Sequence, residues 1–246
     1  MHLAETTWPE AADAETDLAV LPVGSTEQHG PHAPLSTDSL SAAAVADAGA
    51  DAYDGEVVVA PALPYGISEE HRHFAGTLWL SPDTFRDAVR DVIGSLAHHG
   101  WNRVVVVNGH GGNADALREV AASVTREGVA YAAAFTWFDA VDLAEVGDEA
   151  MGHAGSVETS FVMHHAPDLV DGERFEGAAD GASDGWGEWV SGTNLAYDSA
   201  AFAENGVVGD PSTATAERGE ELTTAAGDAL ATLLSVVAER DVPPDY

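Results

Sequence analysis

Cysteine is absent from the 246 residues, and so is lysine. The first absence excludes disulfides, Cys-ligated zinc and a thiol nucleophile. The second leaves arginine to supply all 9 Lys+Arg, set against 42 Asp+Glu, for a formal net charge of -33. A chain of that sign is a poor ligand for nucleic acid or for an anionic membrane. Long apolar runs are missing as well: none approaches the roughly 20 residues that span a bilayer. The opening Met1-His2-Leu3-Ala4-Glu5 carries no basic region followed by an apolar stretch. No secretory signal is expected, and the reading is a cytoplasmic protein.

What is present excludes disorder. Hydrophobic residues make up 45% of the chain, and Val-rich runs are well formed, so the acidity is not that of an unfolded polyanion. Self-repulsion at low salt opposes compaction, and screening that shortens to about 3 Å at 1 M salt relieves it. Small apolar residues inside an acidic surface therefore suggest adaptation to high internal salt.

Strand-like and helix-like segments alternate. Strands are expected near 18–23, 56–60, 103–107 and 130–135, and helices near 38–50, 82–99, 113–127, 156–166 and 213–239. Ser81-Pro82-Asp83 has the chemistry of a helix start. The alternation predicts an α/β fold, a three-layer αβα sandwich around a mostly parallel sheet. Residues 1–246 read as a single domain with no internal repeat. The Gly-, Ala- and Asp-rich stretch from Asp171 to Asn205, with Trp186 and Trp189, reads as a long loop of functional character.

Three segments carry chemistry. Gly24-Ser25-Thr26-Glu27-Gln28-His29-Gly30-Pro31-His32, followed by Thr37-Asp38, comes directly after the first apolar strand. Positions i and i+2 of an extended backbone point the same way, so Glu27 and His29 can converge on one ion. Asn108-Gly109-His110-Gly111-Gly112-Asn113 follows the third strand, and His153-Ala154-Gly155-Ser156-Val157-Glu158-Thr159 leads into a helix. Open parallel sheets gather ligands at the carboxyl ends of their strands, so the first two segments can share one rim. Mixed O and N donors suit Zn, Mn or Fe(II) better than Ca or Mg. Each residue also has a plainer reading: Asp38 as a helix N-cap, Glu158 as a charge complementing a helix dipole, His110 as a loop histidine. His98-His99 and His164-His165 close helices and read as surface residues.

These pieces, with Gly66-Ile67-Ser68-Glu69-Glu70-His71 and Phe74-Ala75-Gly76-Thr77, resemble the creatininase family of metal-dependent amidohydrolases, in family order over roughly residues 18 to 165. The resemblance implies two divalent metals with Asp38 bridging them and Glu27, His29 and His110 around them. It also implies a ring-like hexamer, so a homo-oligomer is expected on that basis. Creatinine-hydrolysing members carry Tyr and then a ligand Glu after the loop His, where this chain has Gly111 and Gly112. Glu158 is the expected replacement ligand. His153 is the candidate proton donor to the leaving nitrogen, with orientation of a ligand as its alternative. Gly111 and Trp186 are candidate substrate contacts, and His71 and His73 are candidates to line the pocket.

The expected reaction is amide hydrolysis by metal-activated water on a small-molecule substrate. The leading expectation is a deformylase acting on a formylamino-pyrimidine ribosyl phosphate in riboflavin and deazaflavin biosynthesis, with Arg72 or the Gly-rich loop amides as phosphate contacts. Creatinine hydrolysis and cleavage of a redox-cofactor precursor peptide are the other enzymatic readings, and a non-catalytic metal-binding or regulatory protein is the reading from another class. Gly181-Ala182-Ser183-Asp184-Gly185 matches a serine-hydrolase nucleophile elbow in letters only, since no buried strand precedes it.

Overall fold

The computed structural model describes residues 1–144 and 151–242. Element order is α1 (Trp8–Ala12), β1 (Leu18–Val23), α2 (Thr37–Ala52), β2 (Val58–Val59), α3 (Pro82–His98), β3 (Arg103–Asn108), α4 (Ala114–Arg126), β4 (Tyr131–Thr136) and α5 (Ser156–His165), then α6 (Phe175–Asp180), β5 (Trp189–Val190), β6 (Thr193–Asn194) and α7 (Ala216–Ala238). Strands β2-β1-β3-β4 form one sheet in that order, all parallel. Alternate residues of each central strand enter opposite layers, as a two-residue period requires. Leu18, Val20, Val105 and Val107 pack with Val45, Phe161, Leu222 and Leu230 of α2, α5 and α7. Ala19, Leu21, Val104 and Val106 pack with Phe85, Val89, Leu117 and Val120 of α3 and α4. The expected αβα sandwich is what the residues build.

Three local readings change. The strand expected over 56–60 is paired as a strand only at Val58–Val59. The stretch 171–205 is not structureless: it holds α6 and the β5–β6 hairpin, whose Asn194 side chain accepts from the Glu188 and Ala196 amides. Helix α7 has the length and composition to cross a bilayer, contrary to the expectation that no such segment exists. Its Leu222, Ala226, Leu230 and Leu234 are instead buried in the layer shared with α2 and α5. Ser81 caps α3 as expected, accepting from Thr84 N.

The parallel sheet brings the ends of β1 and β3 side by side, with Val23 opposite Asn108. Glycines sit just beyond both. A Cβ at Gly24 would lie 2.4 Å from Ser39 N, and one at Gly109 would lie 2.2 Å from Asp38 O. Only bare backbone lets the first turn of α2 rest on the strand ends, and that contact delivers Asp38 to the rim. Asp38 is therefore not the N-cap: Ser36 precedes the helix, which starts at Thr37.

Candidate metal centre

Beyond the carboxyl ends of β1 and β3, the rim is densely polar yet buried. Glu27, His29, Asp38, His110, His153 and Glu158 are all shielded from solvent, with His71 and His32 beside them. Asp38 joins two groups: its Oδ1 lies 3.1 Å from His29 Nε2, and its Oδ2 lies 3.3 Å from His110 Nδ1. Glu27 Oε2 approaches the same His110 nitrogen at 3.2 Å, and Glu158 Oε2 approaches His29 Nε2 at 3.6 Å. Two triads result, Glu27–Asp38–His110 and His29–Asp38–Glu158, each with ligand atoms within 4.8 Å of one another. A third group, Glu27–His29–His153, overlaps them. The structure thus brings together the five residues expected as ligands, on three separate segments.

Backbone carbonyls fix which ring nitrogen is bare. His110 Nε2 donates to Ile67 O at 2.7 Å, which leaves Nδ1 to face the carboxylates. His29 Nδ1 lies 3.2 Å from Glu27 O, which leaves Nε2 facing Asp38 and Glu158. Orientation of a ligating imidazole by a carbonyl on its far nitrogen is the usual supporting arrangement at metal sites. Asn108 closes the His110 turn by accepting from His110 N and donating to His110 O. Asn113 ties the loop down through Ile67 N and Gly24 O.

The electrostatics are those of a site built for cations. Both Glu27 carboxylate oxygens, Asp38 Oδ2 and His29 Nε2 are buried without a hydrogen-bond partner among the described residues. Burial, reinforced by the Glu27 carboxylate, pushes Asp38 up to about 6. Burial opposes the charged form of His110, but the carboxylates of Glu27, Asp38 and Glu70 together outweigh it and raise the imidazole to about 10. Asp38 and Glu158 likewise hold His29 well above its ordinary value against burial. Glu158 falls to about 2 despite burial, through His29 and the Ala154 amide that donates to it. Unpaired buried carboxylates are costly, and these draw protons onto imidazoles that would otherwise be neutral. The donor set fits a pair of divalent cations sharing Asp38.

His153 lines a cavity of about 340 Å³, together with Glu70, His71, Gly111, Phe138, Met151 and Trp186. Its Nε2 lies 2.7 Å from Gln28 O, and its Nδ1 lies 3.7 Å from Glu27 Oε1. Burial and then the nearby His29 hold it down at about 4, so it is neutral at pH 7. A Cβ added at Gly111 would meet no atom within 4 Å, so this wall of the cavity is open. Trp186 meets the His153 ring edge-on with centroids 5.9 Å apart. His73 is exposed and pairs with Asp198, away from the centre.

Three contributors are less visible in the sequence. His71 stacks on His153 at 4.3 Å and points Nε2 to within 3.5 Å of Glu27 Oε1. Gln28 is a hub, with its amide nitrogen within 3.0 Å of His71 Nδ1, His153 Nε2 and Gly206 O. The buried His32 contacts Thr159 Oγ1 through Nε2. The period-two argument that pairs Glu27 with His29 also sends Gln28 the opposite way, and that is the signal the sequence offers for it.

A parallel α/β sheet with such a rim defines a metal-dependent hydrolase. Comparison with known proteins specifies it further. A creatininase (creatinine amidohydrolase) family model matches residues 4–234. The chain is 37% identical over 210 residues to a mycofactocin precursor peptide peptidase of Mycolicibacterium smegmatis, covering 83% of this chain and 79% of that protein. It is 32% identical over 197 residues to a creatinine amidohydrolase of Pseudomonas putida, covering 71% and 75%. A mutant creatininase complexed with creatine superposes with a TM-score of 0.81 at 28% identity, covering 96% of this chain and 97% of the other. Creatininase structures described as a Zn-Zn type and an Mn form give TM-scores of 0.80 and 0.79. The chain belongs to the creatininase family, whose members are metal-dependent amidohydrolases.

Proposed function

We propose that the protein hydrolyses the amide bond of a short peptide or peptide-like substrate, with two divalent cations (Zn, Mn or Fe(II)) held by Glu27, His29, Asp38, His110 and Glu158. The observation that carries this is the sharing of Asp38 between two carboxylate–imidazole triads whose buried oxygens have few other partners. Cations so held lower the pKa of a water and polarise the scissile carbonyl. The chain's own residues do the rest. His153, neutral and with Nδ1 turned toward Glu27, takes a proton from the attacking water and passes it to the leaving nitrogen. Gln28 O holds the far side of that ring, and the stacked His71 keeps it from turning. Trp186, Phe138 and Met151 give the cavity apolar walls for the substrate's side chains.

Two facts favour the peptide reading over the phosphorylated pyrimidine. No Arg lines the cavity among the described residues, and Arg72, the candidate clamp, is paired with Asp198 at 2.8 Å and with Glu69. The similarity to precursor peptide peptidases points the same way. The test is a product assay in potassium chloride with zinc- or manganese-loaded protein. Short peptides, the formylamino-pyrimidine ribosyl phosphate and creatinine are offered in parallel. Peptide cleavage abolished by chelation and restored by metal is expected. Formate release without peptide cleavage would replace this substrate class with the deformylase one. Metal-replete protein that turns over none of the three would leave a binding or regulatory role.

A further inference from the structure

Glu70 is a cavity-wall carboxylate that the proposed chemistry does not use. It stands on the short turn Glu69–His71, with its side chain 29% exposed, and opens into the same cavity as His110, Gly111 and Trp186. No Arg pairs with it among the described residues. Its ionic neighbour is His110 Nε2 at 3.8 Å, beyond hydrogen-bond reach, and that nitrogen already donates to Ile67 O at 2.7 Å. The next residue but one, Arg72, turns away to Asp198. Glu70 is thus a partly exposed carboxylate on the cavity wall, with no side-chain hydrogen bond among the described residues and His110 as its ionic neighbour.

Gly112 lies beneath it. A Cβ at 112 would lie 2.3 Å from Ile67 O, 2.5 Å from His110 Nε2 and 3.0 Å from Glu70 Oε1, so the Ile67 carbonyl, the His110 ring and the Glu70 carboxylate share the space over that glycine. The same cavity is walled by Trp186, Phe138 and Met151, and aromatic faces attract cations. An anion together with aromatic rings suits a positively charged nitrogen and disfavours a phosphate or a second carboxylate.

We propose that Glu70 is a specificity-determining residue that receives an ammonium group flanking the scissile amide, so that the preferred substrates are amines with a free, protonated nitrogen. This rests on the cavity being the substrate site. Charge-assisted hydrogen bonds of this kind correspond to about a tenfold preference or more.

The experiment measures calorimetric binding of alanyl-tyrosinamide and of its N-acetyl derivative to zinc-loaded wild type, Glu70→Gln and Glu70→Asp, with zinc content and hydrolysis followed on the same samples. The free amine should bind wild type about tenfold more tightly. Glu70→Gln should erase the preference at unchanged zinc content, and Glu70→Asp should keep part of it. Wild type that binds both equally, or neither, overturns the proposal. So does a Glu70→Gln protein that keeps the preference, or one that loses zinc and thereby shows Glu70 acting through His110. Intact preference without hydrolysis of either compound would count against the peptidase reading alone and leave Glu70's role standing.

Discussion

Asp38 and His153 lie in the same buried cluster, yet they should fail differently when changed. Asp38 touches both triads, with one oxygen toward His29 and the other toward His110. Asp38→Asn removes the shared anion, so metal content measured by plasma emission should fall well below the wild-type stoichiometry, and activity with it. His153 turns Nδ1 toward the cluster, 3.7 Å from Glu27 Oε1, and rests its ring against that of His29 with centroids 4.4 Å apart. His153→Gln should retain the metals and lower kcat by roughly 10²- to 10⁴-fold, the range for a positioned acid–base group. A His153→Gln protein that loses metal in parallel with activity would make His153 a ligand, the role its grouping with Glu27 and His29 permits. Glu158 reaches His29 at 3.6 Å although β2, β3 and β4 all lie between them in sequence. Its Oε2 also accepts from Ala154 N, and Ala154 holds a left-handed φ of 54°. That conformation is uncommon for a residue with a Cβ, and it places the His153 and Glu158 side chains on the same rim.

The elements show where local pattern suffices and where it does not. Strands β1 and β3 are legible within a residue because apolar runs (Leu, Ala, Val and Pro in β1, four Val in β3) bounded by Gly and Asn identify a sheet buried on both faces. The ends of those strands locate Glu27, His29 and His110 for the same reason. The turn carrying Glu70 and His71 gives no periodic signal and is marked only by its resemblance to a family segment, since His71 reaches Gln28 across 43 residues and Ser199 across 128. No periodicity encodes such pairings. Residues 171–205 lack any period because α6 has six residues and each hairpin strand two. Asp38 reads ambiguously as a cap because its neighbours suit a helix start, and the deciding fact is the close approach of α2 to two glycines. That approach can be tested. Gly109→Ala puts a methyl group 2.2 Å from Asp38 O, which must push α2 off the end of β3. Overpacking of this kind costs about 1–3 kcal/mol, so the melting temperature should fall by several degrees, and metal affinity should weaken as Asp38 withdraws. Wild-type melting and metal stoichiometry in Gly109→Ala would show that α2 is not seated by this contact.

At the scale of the whole molecule the charge dominates. Arg72, Arg86, Arg90, Arg103, Arg118 and Arg174 are all in ion pairs with Asp or Glu on the surface. Exposed pairs of this kind contribute about 0–1 kcal/mol each, too little to offset a formal charge of -33. The buried layers on either side of the sheet hold the fold against that repulsion. Added salt acts on the two terms in opposite senses. It weakens the few surface pairs slightly, while it screens a far larger number of acid–acid repulsions once the Debye length falls from about 10 Å at 0.1 M to about 3 Å at 1 M. The melting temperature of the metal-loaded protein should therefore climb steadily with potassium chloride over that interval. An equal osmolality of sucrose should not reproduce the early, steep part of the rise, because it carries no counter-ions. Where ion pairs rather than repulsion set stability, the curve would fall or stay level with salt. That outcome would remove the physical basis for reading this surface as adapted to concentrated salt, while leaving the metal centre beneath it untouched.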